Sequence, residues 1–124
     1  MTLPFRPVPK PAPRLIDRVA RQRAENAALR TSYRQVDVRD HFACRCCGRR
    51  LVKTLTLCPA RAEHHHLVGR WIAPMLRADV RNIIAVDAEC HGKLTRHELL
   101  VKAATFYRVD GRTYPNADGP LMFI

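Results

Sequence analysis

Three adjacent histidines, His64, His65 and His66, are followed by Asn82 and then by Cys90-His91, and are preceded by Cys44-x-x-Cys47-Gly48. These residue types do metal and acid–base chemistry. A neutral imidazole titrates close to working pH, so it can bind a divalent ion or take a proton from water. Cysteines separated by two residues read as a metal knuckle. The tight turn lets both thiolates face one ion, and Gly48 relieves the backbone. Of the five cysteines, three lie within Cys44-Arg45-Cys46-Cys47. Such clustering suits metal ligation in a reducing compartment better than a disulfide framework.

The surroundings are strongly basic. A net charge of +11 on 124 residues, before six histidines are counted, implies a polyanionic partner. On charge alone DNA, RNA and an acidic membrane surface all qualify. No stretch approaches the roughly 18 apolar residues of a membrane span. The N-terminus lacks the apolar run of a secretory signal. The expectation is therefore a cytoplasmic protein with nucleic acid as its partner and no membrane role. The length suits one compact domain. Five of the nine prolines fall in the first thirteen residues. Residues 1–13 are thus expected to be an extended basic arm, and residues 14–124 the domain.

The elements that must position the chemistry follow from periodicity. Arg14 to about Tyr33 has helix-forming residues without interior Gly or Pro and a narrow apolar stripe, ringed by arginines. Leu51 to Leu57 alternates apolar and polar residues, as a strand or hairpin arm would. The histidine run reads as a short extended segment ending at Gly69, and a loop broken by Pro74 follows. Ile83-Ile84-Ala85-Val86 is β-branched and continuous, hence a buried strand. Ala88 to about Ala104 reads as a helix, with Leu94, Leu99, Leu100 and Ala103 on one side. Val109-Asp110-Gly111-Arg112 is a two-residue hairpin signal. In the loop, Trp71 could stack on a base, although packing in the core or a lid is the plainer expectation.

Taken in order, the knuckle, the histidine-bearing strand, the loop, Asn82 and Cys90-His91 resemble the HNH (His-Me finger) endonucleases, in particular a small phage-type member. The resemblance spans about residues 43–97 and rests on Cys44–Cys47, Glu63–Arg70, Asn82–Val86 and Cys90-His91. Asn82 stands nine residues before His91, with apolar strand residues between. The resemblance implies an α+β fold with a ββα-metal core, an N-terminal helix and a hairpin-like tail. It implies hydrolysis of DNA phosphodiesters, by nicking or double-strand cleavage, around one divalent ion: Mg²⁺, Mn²⁺ or Ni²⁺. His66 matches the general base and His65 the preceding metal ligand, with His64-His65 as the other reading of the pair. His91 matches the second ligand, and Asn82 the residue that orders the loop and fixes the base. Arg70 would grip a phosphate, with Arg49, Arg50 and Lys93 as further DNA contacts.

Related nucleases often frame this core with a four-cysteine zinc site. Cys44, Cys47 and Cys90 stand at three of those positions, and Asp87 stands at the fourth. Cys58 is an alternative fourth ligand, and Cys46 a weaker one. The missing cysteine keeps a second reading open, a zinc-stabilised DNA-binding module that retains the fold without cleavage. Duplex DNA read with limited sequence preference is the expected partner, alone or within a larger DNA-processing assembly.

Overall fold

All five residues of one strand, Ile83–Asp87, are buried, and the remaining elements are arranged to cover it. The computed structural model describes Pro4 and residues 13–124, so the arm expected over residues 1–13 lies almost wholly outside the described residues. The order is α1 (Pro13–Arg39), β1 (Ala62–His66), the buried strand β2 (Ile83–Asp87) and α2 (Ala88–Thr95). Then come β3 (Val101–Ala103), β4 (Phe106–Val109), β5 (Arg112–Pro115) and β6 (Leu121–Phe123). The class is α+β, with antiparallel pairs β1–β2, β3–β6 and β4–β5.

Alternation along β2 divides its side chains between two helices. Ile84 and Val86 pack with Cys44, Cys90 and Leu94 on the α2 side. Ile83 and Ala85 pack with Val36 of α1, flanked by Leu29 and Tyr33. Burial on both faces explains the continuous apolar run. The register sets His65 opposite Ile84 and His66 opposite Ile83.

Three sequence expectations shift. The first helix runs past Tyr33 to Arg39, because no breaker intervenes and Val36 reaches the core. It stops where His41 and Phe42 take left-handed φ values of 58° and 54°. The second helix ends at Thr95 rather than near Ala104. His97 is left-handed (φ 58°), and Val101–Ala103 pairs with β6 instead. Leu99 and Val101 pack against the core from this extended segment. Leu51–Leu57 forms no strand. Its alternation has no partner beyond a single bridge between Val52 and Arg61. The tail hairpin matches its signal: Asp110 (φ 50°) and Gly111 (φ 78°) supply the two positive angles of a type I′ turn between β4 and β5.

Among the described residues the outer edge of β2 has no strand beside it. Two side chains and one backbone amide fill the gap. The Asp40 carboxylate accepts from the Ala85 amide at 3.0 Å, the Arg45 amide donates to the Ala85 carbonyl at 2.9 Å, and Arg39 donates to the Ile83 carbonyl at 2.6 Å. Arg39 grips Asp40 through two bonds, of 2.8 and 3.0 Å, and Arg45 adds a third at 2.9 Å. Both guanidiniums continue into the tail, Arg39 to Asp118 and Arg45 to the carbonyls of Ala117 and Gly119.

Burial works against the Asp40 charge, but Arg39, the Ala85 amide and Arg45 outweigh it and hold its pKa below the ordinary 3.8. A depressed carboxylate contributes stability above its unfolded pKa, and that contribution is lost as pH falls through the folded value. Asp40→Asn should cost about 3–5 kcal/mol by urea unfolding at neutral pH, as expected for breaking a buried pair from one side. The variant should also show a shallower loss of stability below about pH 4 than the wild type.

Candidate active site and metal centre

The pleat of β1 sends its histidines to different neighbours. Glu63 and His65 share the α2 side. The His65 ring meets the His91 ring edge-on, with centroids 5.4 Å apart. His91 Nδ1 lies 3.0 Å from Glu63 Oε1. A carboxylate only accepts, so Nδ1 carries the proton and Nε2 is left as the free, metal-competent nitrogen. Burial above all, then the neighbouring His91 and His66, pushes the pKa of His65 down to about 4. His65 is therefore neutral near pH 7 and keeps a lone pair to offer. The sequence reading gave Glu63 no role. Its position two residues before His65, on the same strand face, is the signal that could have found it.

His66 faces the other way and is held differently. Its Nε2 is 2.7 Å from the Arg77 carbonyl, which must be the acceptor, so Nδ1 is the basic nitrogen. Burial is the main cause of a lowered pKa here, opposed by the bond to that carbonyl and assisted by the Arg77 charge. Asn82 is fully buried and does not itself bond His66. Its side chain accepts from the Val68 amide at 2.8 Å and donates to the carbonyls of Val68 and Leu76 at 3.0 and 3.3 Å. It pins both ends of the loop that carries Arg77. His64 serves the scaffold: Nε2 bonds Asp37 of α1 at 2.7 Å, and the ring stacks on Tyr33 with centroids 4.0 Å apart.

His65, His66 and His91 nevertheless line one cleft of about 410 Å³, which His64 also borders, with Arg70 and Arg77 among its walls. His66 is the last residue of β1, so the cleft opens at the strand's end. The other expected DNA contacts lie elsewhere. Arg49 bonds Glu89 at 3.1 Å and approaches Asp87 at 3.8 Å, and Lys93 is 3.9 Å from Glu89. Arg50 is exposed at the bridge to Ala43. Trp71 is 88% exposed, so it packs in no core; Arg70 stands over its ring at 5.4 Å.

A second centre forms where the knuckle meets α2. One sulfur each from Cys44, Cys47 and Cys90 and one Asp87 oxygen all lie within 4.8 Å of one another. Four ligands set about 2.3 Å from a zinc ion stand roughly 3.8 Å apart, so this group can hold such an ion after small adjustments. Asp87 has two functions: one oxygen caps α2 through the Cys90 amide at 2.6 Å, and the other faces the Cys47 sulfur at 3.1 Å. Cys58, offered as an alternative ligand, is not in the group. It lies on the irregular segment before β1, where only its carbonyl is engaged, by the Arg61 amide.

The thiols compete for charge. Cys44 is drawn down to about 5, chiefly by a hydrogen bond from Cys46 and against its own burial, with backbone amides of Asp87, Cys47 and Cys46 assisting. Cys90 is raised, first by burial and then by Asp87. Gathered thiols that cannot all ionise side by side are what a divalent cation relieves.

Comparison with protein-family models, curated proteins and solved structures gives no match.

Two outcomes are expected. The purified protein should carry close to one zinc per chain, and stripping it with a chelator should lower Tm by about 10 °C or more, a loss of roughly 2–3 kcal/mol. Cys44→Ser should reproduce that drop without chelator; a metal-free protein with an unchanged melt would overturn the assignment. If His65 and His91 together hold a divalent ion, Glu63→Gln should weaken its binding by about 10- to 100-fold in calorimetric titration, with the fold intact; no binding by the wild type would remove this pair as a metal site.

Proposed function

We propose that this protein is a metal-dependent DNA endonuclease of the HNH (His-Me finger) type, with β1, β2 and α2 as its ββα core. The observation that carries the reading is the convergence of His65, His66 and His91 in one arginine-walled cleft, each ring held by a different constraint. The strand–strand–helix order, the buried Asn82 pinning the intervening loop and the +11 charge support it.

His65 and His91 would hold the catalytic ion, with Glu63 orienting His91. Two imidazole donors favour a transition metal such as Mn²⁺ or Ni²⁺ over Mg²⁺. Such an ion, when bound, polarises the phosphodiester and stabilises the departing oxygen. His66 takes the proton of the attacking water at Nδ1 while its Nε2–H stays on the Arg77 carbonyl, which keeps the ring from rotating as it charges. Arg70, exposed at the rim, places the phosphate, and the Arg77 guanidinium adds positive potential to the wall. Nothing in this scheme requires Arg49, Arg50 or Lys93 near the scissile bond; they would contact flanking phosphates.

Supercoiled plasmid incubated with the protein and Mn²⁺, Ni²⁺ or Mg²⁺ should be nicked or linearised. His66→Ala should slow cleavage by about 100-fold or more, the usual weight of a general base. DNA bound but left intact with every ion would identify a non-catalytic binding module instead. Equal cutting by wild type and His66→Ala would remove the assignment of the base.

A further inference from the structure

Beside the cleft, the loop that Asn82 pins presents an apolar tip. Trp71, Ile72 and Met75 are 88%, 72% and 55% exposed, while Ala73 and Leu76 of the same segment are fully or almost fully buried. The buried pair packs on Tyr107 and Tyr114 of the β4–β5 hairpin. The amides of Ile72 and Ala73 both bond the Gly69 carbonyl. The tip is thus rigidly mounted, and its exposure is built in. A hollow of about 610 Å³ opens between it and α1, walled by Trp71, Pro74, Met75 and Ala28. Arg70, Trp71 and Arg77 border this hollow and the histidine cleft alike, so the two adjoin. Glu25 also stands at the border, 3.6 Å from Arg77, as the one carboxylate lining the hollow.

An occupant must offer a flat apolar face to Trp71 and negative charge to two guanidiniums. We propose that Trp71 stacks on an unpaired base next to the phosphate held in the cleft, so that the preferred substrate is a nucleic acid with an unstacked nucleotide at the cut: a single strand, a bulge or a branch. A base inside a regular duplex has both faces covered and cannot be stacked on without being unpaired and extruded first. The proposal deepens the nuclease reading and rests on it for the position of the cut.

Trp71 is the chain's single tryptophan, which makes binding directly visible. The test uses the full chain without divalent ion in the binding buffer, titrated with oligothymidylate, a blunt duplex of equal length, and that duplex carrying one unpaired base. Tryptophan fluorescence should be quenched by the first and third and hardly by the second, with anisotropy of labelled DNA reporting binding in parallel. Trp71→Ala should weaken binding to the single strand and the bulged duplex by about 5- to 100-fold, the range for loss of one stacked base, and leave the blunt duplex unaffected. Trp71→Phe should restore most of the loss. DNA binding without quenching, or a Trp71→Ala protein that keeps the preference for unpaired bases, would overturn the proposal and favour a protein partner for the tip. Neither readout requires cleavage, so failure of the nuclease reading would be seen separately, in the plasmid experiment.

Discussion

A central strand with one strand neighbour among the described residues must satisfy the backbone groups on its other edge, and this protein does so with two charged side chains and one backbone amide. In β2 the outward amide and carbonyl of Ala85 and the carbonyl of Ile83 are taken by Asp40, the Arg45 backbone and Arg39. Unpaired, each buried group would cost on the order of 1–3 kcal/mol. The same three residues join the end of α1, the knuckle and the C-terminal tail. Whatever holds β2 also holds β1 in register, and with it every histidine of the run.

The chemistry is distributed over that frame by strand geometry. One turn of the pleat separates a ring facing α2 from rings facing α1, so three adjacent residues meet three environments. His65 loses its proton readily to burial and like charge, His66 is fixed by a loop carbonyl, and His64 is consumed by packing on Tyr33 and bonding to Asp37. The loop that supplies the carbonyl is itself tied down by Asn82, and by Ser32 of α1 bonding the Ala78 carbonyl. The orientation of the His66 ring is therefore set indirectly, passing from the buried Asn82 amide through backbone to imidazole.

Asp87 is the residue whose meaning changes most. Read along the chain, it interrupts a four-cysteine pattern. In space it is the N-cap of α2, and its second oxygen joins three sulfurs. A carboxylate can cap a helix and face a cation at once, whereas a thiol is a poor cap. Since His91 lies in the first turn of the capped helix, the knuckle and the histidine cleft share a mount.

Residue types and local periodicity determined a good deal. The buried strand at Ile83–Val86, the helix beginning at Ala88, the Asp110-Gly111 hairpin and the Cys44–Cys47 knuckle were all legible, because each depends on near neighbours or on a turn with few solutions. That Cys90, 43 positions further on, joins the knuckle was implied only by the family resemblance. The ends of both helices were not legible, since they depend on left-handed residues and on a strand partner some twenty positions away. The role of Glu63, the carbonyl that holds His66 and the outward face of Trp71 were likewise decided only in three dimensions. Each is set by what a distant segment places opposite the side chain, and no spacing along the chain encodes that.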